Sequence, residues 1–243
     1  MSFLYVRPDE NAVYAGTVTT TVGTTDSDYT DEWICDGRPG RPARSGSGTV
    51  TWSIACASAY VDLVALINCN ADVNATIGGG VSGTVPVGAL QPDGMRPGRF
   101  TQVTSASITA LTVGFAAAAA AVVLGEVVAG RARSIRAPRF DSPFAFSDHR
   151  RVVDAEFGSI PPYDPALESR TWIGWNYYSA ADRDLLIAWY RAQRGGTKPS
   201  LIIPDSTINE ALLVQLLPPT FVQAGPDQWR VDLRFEEYPR SRW

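Results

Sequence analysis

The sequence predicts a mainly β protein built from two β domains, and three observations carry that prediction. Up to about Gly130 the chain is rich in Thr, Val, Gly and Ala and is broken by turn residues at short intervals, the pattern of a sandwich or barrel. Beyond Gly130 it becomes more aromatic and more basic, with six basic and eleven acidic residues before that point and fifteen and fourteen after it. At 243 residues with 45% hydrophobic content it exceeds the common single-domain size and can bury two modest cores. The expected division is a β-sandwich over residues 1–130 and, over 131–243, a β-sandwich or barrel with one helix at about 180–194.

In the first part the strand candidates are Gly16–Val22, Thr49–Ala55, Val61–Asn68, Ala75–Ile77, Thr101–Thr104, Ser107–Phe115 and Ala121–Val128. They alternate apolar and polar residues or run β-branched. Pro and Gly mark 36–42 and 91–98 as loops. Six alanines, Ala116–Ala121, favour helix by propensity, but the alternating Ile108–Val113 and the β-branched Val122–Val128 on either side predict two strands joined by a tight turn. The apolar stretch around them is broken by Gly125 and Glu126, well short of a bilayer's thickness. Four arginines with Pro138 over Arg131–Arg139 read as a solvated connector.

In the second part Thr171–Tyr178 is dense in strand formers. Ser179 followed by Asp182 reads as an N-cap with a carboxylate opposing the helix dipole. The helix that follows presents Leu185, Leu186, Trp189 and Ala192 on its apolar face, and Gly195-Gly196 ends it. Further strands are expected over Ser200–Pro204, Ala211–Leu217 and Gln228–Tyr238. The last alternates most clearly, with Trp229, Val231, Leu233 and Phe235 on one face and Arg230, Asp232, Arg234 and Glu236 on the other.

Composition narrows the function. The net charge of −4 comes without a run of like charge, which argues against nucleic acid and membrane surfaces as partners. Lys198 is the sole lysine, a skew that reads as coding bias first and as selection for interface arginines second. Three cysteines, Cys35, Cys56 and Cys69, suit a reduced, cytoplasmically made protein with buried thiols at Cys56 and Cys69. The polar residues soon after Met1 do not resemble a secretory leader.

Catalytic groups are sparse. The one histidine, His149, follows Asp148, and neighbours on a strand point to opposite faces, so the two form no acid–base pair. Gly46-Ser47-Gly48 lacks the setting of a nucleophile elbow. The cysteines are too scattered for zinc, and Gly78-Gly79-Gly80 lacks the Lys-Ser/Thr of a phosphate cradle and reads as a hairpin turn. The carboxylate pairs Asp9-Glu10, Asp31-Glu32 and Glu236-Glu237 serve glycoside hydrolysis only if the fold brings two from different elements together. Asp26, Asp28, Asp31 and Glu32 have the oxygen chemistry of a calcium site, but a solvated acidic loop is the expectation. No enzyme activity, cofactor or metal is therefore expected. Among the aromatics, Tyr29, Trp33, Trp52 and Tyr60 are available to stack on a sugar. Trp52 alternates with Val50 and Ile54 and is expected in the core. Trp33, beside the loop that carries Asp36 and Arg38, is the better surface residue, and these three form the expected glycan site.

The segments Asp36–Ser45, Thr49–Ile54, Val61–Asn70 and Val122–Gly130 resemble the discoidin-like, galactose-binding-like jelly rolls of phage virion proteins. There a "DG.P" loop precedes a strand, a "VD.VAL.N.N" strand carries the sheet, and an "LG.L..G" strand closes it. Cys69 stands where such jelly rolls often have His, so Asn68 and Asn70 are read as satisfying backbone groups at a strand end. Asp182–Arg194, Gly195-Gly196, Pro199–Asp205 and Trp229–Glu237 are similar to the capped helix, Gly-rich turn, "P.L..PD" strand and "W.V.L..EE" strand of phage distal and minor tail proteins. The resemblance implies a tail-tip or baseplate subunit in the virion, assembled in the host cytoplasm as a hexamer or trimer among other tail proteins. Ring contacts need complementary patches, for which Trp172, Trp175, Tyr177, Tyr178, Arg131, Arg133 and Arg136 are the candidates. The alternative is a binder of host-surface glycans acting through the jelly roll.

Overall fold

The computed structural model describes residues 2–14, 16–38, 41–89, 97–140, 145–148, 168–193, 198–205 and 209–238. The chain is mainly β. In order, β1 (Ser2–Val6), β2 (Thr17–Val22), β3 (Ala43–Arg44), β4 (Val50–Cys69), β5 (Ala75–Gly78), β6 (Gly83–Val85), β7 (Arg99–Phe115) and β8 (Val123–Gly130) fill the first half. Then come β9 (Arg133–Arg136), β10 (Arg139–Phe140), β11 (Ala145–Asp148), β12 (Glu168–Tyr178), helix α1 (Ala180–Ala192), β13 (Ser200–Ile203), β14 (Leu212–Leu216), β15 (Thr220–Gly225) and β16 (Gln228–Glu237). Short 3-10 turns sit at Pro8–Glu10 and Asp31–Cys35.

Two sheets result. The first has seven strands in the order β3-β8-β4-β7-β5-β6, with β2 also on β4. The second has nine, in the order β10-β12-β16-β14-β13-β1-β9, with β11 on β12 and β15 on β16. Residues 1–130 were expected to form one unit, but β1 pairs antiparallel with β13 and β9 and so belongs to the second sheet. The arginine-rich stretch 131–139 was expected to be a connector, yet it forms β9 and β10. The alternation of exposed Ser134 and Arg136 with half-buried Arg133 and buried Ile135 gives it a strand's two faces.

Thr49–Ala55 and Val61–Asn68 are one strand, β4, of 20 residues. Its pairing with β7 shifts register between Ala55 and Ala59 and again between Val61 and Leu63. The small Cys56-Ala57-Ser58 step is thus a bulge, which bends a strand without ending it. Thr101–Thr104 and Ser107–Phe115 likewise merge into β7. Ala116–Ala121 is the turn foreseen, with Ala117 at a φ of 55° and the Ala118 amide donating to the Gly48 carbonyl at 2.9 Å. A Cβ on Gly48 would lie 1.9 Å from the Ala118 oxygen, so only glycine fits there. The Gly79-Gly80 turn between β5 and β6 needs glycine for its φ of 86° and 113°.

The apolar residues form three layers. One lies inside the first sheet around Trp52, Ile54, Leu111, Val113 and Leu124. A second joins the sheets, with Leu4, Val6, Leu201, Ile203 and Leu213 meeting Leu63, Ala65, Ile67, Phe100 and Val128. Every position of β8 is buried, because Leu124, Val127 and Ala129 pack in the first layer and Val128 in the second. The third layer lies on the other face of the second sheet, under α1.

Helix α1 starts as expected: the Ser179 hydroxyl oxygen accepts the Asp182 amide at 3.2 Å and itself donates to the Asp182 carboxylate at 3.0 Å. Leu186 and Trp189 are buried, while Leu185 and Ala192 are only half-buried. Gln193 completes the inner face instead. Gly195-Gly196 lies outside the described residues. Trp189 stacks on Tyr5 with ring centroids 4.2 Å apart, and its indole N–H donates to Ser200 Oγ at 2.7 Å. Gln193 donates to the same Oγ at 2.6 Å and accepts the Leu216 amide at 2.9 Å, so a polar group at the helix end is fully satisfied by β13 and β14. Trp189→Ala should lower stability by about 3–5 kcal/mol through the cavity it leaves. Gln193→Ala should lower it by about 1–3 kcal/mol through stranded polar groups. Urea midpoints at constant slope measure both.

Candidate functional site

The 3-10 turn Asp31–Cys35 follows β2 and carries the exposed side of the first sheet's loop end. Asp31 holds it. Its carboxylate accepts Thr20 Oγ1 at 2.7 Å, the Thr25 hydroxyl, and the indole N–H of buried Trp52 at 3.0 Å. Trp52 itself is 0% exposed, as its alternation foretold. Ile34 and Cys35 point into the core and leave Trp33 partly exposed. Its ring meets Tyr29 edge-on, with centroids 6.1 Å apart and planes at 74°. The Arg41 guanidinium lies 5.6 Å from the Trp33 centroid and that of Arg44 lies 5.8 Å from Tyr29, within cation–π range. Arg44 also pairs with Asp26 at 3.7 Å, and Asp26 accepts the Asp28 amide at 3.2 Å. Asp31 thus holds the turn and Asp26 holds Arg44. Among the described residues no group of three His, Cys, Asp or Glu side chains is placed to hold a metal.

Of the three residues expected in a glycan site, Trp33 projects from the turn, while Asp36 and Arg38 follow it in the loop. The Asp36 carboxylate accepts the Arg38 amide at 2.7 Å, and burial raises its pKa from the ordinary value. The Arg38 side chain is exposed. Sequence reasoning missed Arg41 and Arg44, whose place over the rings has no local signature.

It also missed Glu126. This β8 side chain is 1% exposed. One carboxylate oxygen accepts the Gly37 amide at 3.0 Å. The other oxygen, Oε1, has no hydrogen-bond partner among the described residues. Burial, reinforced by the Asp36 carboxylate, raises the Glu126 pKa well above its ordinary 4.5. Glu126 therefore fastens the 36–38 loop to the central strand. Of the cysteines, Cys35 is the buried one and Cys56 and Cys69 are half-buried, and none of them forms a disulfide. That reverses the expectation for the last two, because the Cys56 bulge lies on an open edge. Asn70 plays its expected part, donating to the Ala121 carbonyl at 3.0 Å and accepting the Val123 amide at 2.7 Å.

The expected interface residues separate. Tyr178 is 2% exposed and its hydroxyl donates to the Arg136 carbonyl at 3.0 Å. It is a core residue and not part of a surface, because strand alternation turns it toward α1. Arg133 is held bidentately by Glu10, with its Nε 2.8 Å from the carboxylate, and ties β9 to the turn after β1. Arg131 lies 5.6 Å from the ring of Tyr60, which is 44% exposed. Arg136 is exposed. Trp175 and Tyr177 share the outward face of β12, with centroids 5.8 Å apart, and Arg139 and Arg230 approach the Trp175 ring at 5.7 and 5.0 Å. The Trp172 side chain and His149 lie outside the described residues.

No protein-family model and no curated protein matches the sequence. Solved structures are similar over about half of the chain. Chitosan-binding module 1 from a chitosanase/glucanase of Paenibacillus sp. IK-5 is matched over 98% of its length by 50% of this chain, at 16% identity and a TM-score of 0.38. A Streptococcus pneumoniae fucose binding module is matched over 94% of its length by 50% of this chain, at 15% identity and a TM-score of 0.39. The SpGH29 crystal structure is matched over only 29% of its length by 52% of this chain, at 12% identity and a TM-score of 0.42.

The state of Glu126 sets a pH dependence. A carboxyl whose folded-state pKa is raised contributes stability that is complete below the unfolded-state value and is lost as pH rises toward the folded-state value. Stability should thus fall from about pH 5 upward, with Asp36 acting in the same direction. Glu126→Gln keeps an acceptor for the Gly37 amide and has no charge to bury. Its melting temperature should exceed that of the native chain at about pH 8, with a flatter profile between about pH 5 and 8. Parallel profiles for the two proteins would contradict this account.

Proposed function

We propose that the chain is a non-catalytic binding protein that takes a glycan on the ring pair Tyr29 and Trp33. The observation that carries this reading is the partly exposed Trp33, set edge-on to Tyr29 and bordered by the Arg41 and Arg44 guanidiniums. A sugar presents C–H groups on its face and hydroxyls at its rim. The first pack on an aromatic ring, and the second need donors in fixed positions. Arg41 and Arg38 are exposed beside the turn and supply such donors, while the hydrogen bonds of Asp31 fix the turn before any ligand arrives.

The test is a glycan array probed with the full chain, followed by titration calorimetry on the best ligand. Trp33→Ala should weaken binding about tenfold or more and leave the melting temperature close to that of the native chain. Absence of binding across the array, or undiminished binding by the variant, overturns the reading.

A second reading is favoured by the outward face of β12, β15 and β16, where Ile173, Val222 and Tyr177 are 55%, 52% and 37% exposed. Exposed apolar and aromatic residues among arginines suit a protein interface, as a subunit of a phage tail tip or baseplate would need. Mass spectrometry of purified phage particles should then find the chain in the virion, and its absence there counts against this role.

A further inference from the structure

One face of the second sheet is only half covered. Over β1, β13 and β14 it packs on the first sheet through Leu4, Val6, Leu201, Ile203 and Leu213. Over β16, β12 and β15 the same face continues into solvent, carrying Ile173, Tyr177 and Val222. Along its middle, on β16, the outward residues are Arg230, Asp232, Arg234 and Glu236. Their signs run plus, minus, plus, minus. Read from the other end the row is its own complement about Leu233, because positions equidistant from Leu233 carry opposite charges: Asp232 with Arg234, and Arg230 with Glu236.

We propose that this face pairs with the same face of a second copy of this chain, the two β16 strands antiparallel about a two-fold axis at Leu233. An isologous contact requires a self-complementary patch, and this row is one. Facing sheets lie about 10 Å apart, a gap that an arginine and an aspartate bridge between them. Asp232 has 42% of its side chain exposed and one of its carboxylate oxygens on Arg230 at 3.2 Å, and Arg234 has no ion-pair partner among the described residues. On β12, whose Gly174 lies opposite Leu233, the same axis sets Ile173 of one copy against Trp175 of the other and closes the apolar surface from water. The second copy thus covers the part of the face that the first sheet leaves open. This inference goes beyond the glycan reading and depends on neither proposed function.

Sedimentation velocity on the full chain, from about 1 to 100 µM, spans the affinities usual for such contacts. A concentration-dependent dimer is expected. Asp232→Arg alone and Arg234→Asp alone each place like charges across the axis and should weaken dimerisation about tenfold or more. The double exchange restores opposite charges and should restore the dimer. Ile173→Glu should abolish it without using either charge, and circular dichroism melts confirm that each variant folds. A chain that stays monomeric throughout overturns the proposal. So does a dimer indifferent to either single reversal, or one that the double exchange fails to rescue.

Discussion

The apolar layer between the two sheets sets the rest of the structure. Leu4 and Val6 from β1, Leu201 and Ile203 from β13, and Leu213 from β14 press on Leu63, Ala65 and Ile67 of β4 and Val128 of β8. Those positions leave the facing strands no solvent side, so β8 is apolar along nearly its whole length and β1 is apolar on both faces. Because the layer takes up one end of the second sheet, the other end must manage its open face with charge. Because it turns the inner side of β4 inward, the loops after β2 and before β3 are left at the surface to hold Trp33.

Polar groups buried or half-buried near this layer act as fasteners. Glu126 secures the 36–38 loop, Asp62 accepts the Ala132 amide at 2.6 Å, and Asn209 receives the Phe100 amide at 3.1 Å. Each joins segments distant in sequence, and each fixes a connection that apolar packing leaves free to slide. The same device recurs on the far side of the second sheet, where Gln193 and Ser200 lock the helix onto its strands. Connections fixed in advance lower the entropic cost of any binding at the loops they hold.

Much of this was legible in the sequence because it is local. The alternation on β16, the alanine turn, the capped helix and the burial of Trp52 all follow from neighbours within a few residues. What escaped was set by pairing at a distance. Nothing in Ser2–Val6 says that its partners are Ile135 and Ile202 rather than the strands next in sequence. The Cys56 bulge looks like a break because its cause is the register against β7. The Arg133–Arg136 strand looks like a connector because the Glu10 that holds Arg133 is far off in sequence and its apolar residue is a single isoleucine. At the candidate site Trp33 was visible and its guanidinium neighbours were not, since Arg41 and Arg44 reach the rings only after β3 has paired with β8.

The placing of β1 also bears on how the chain reaches its native state. Its Leu4 lies opposite Ile203, a partner separated from it by roughly 200 residues, which a ribosome adding about 5–20 residues per second makes some 10–40 s later. Through that interval the first sheet can assemble from β2 to β8 by itself, while β1 gains β9 as its first partner and waits for β13 on its other edge. Closure of the second sheet is then a late event of high contact order, and β1 is complete on both edges only once β13 has been made.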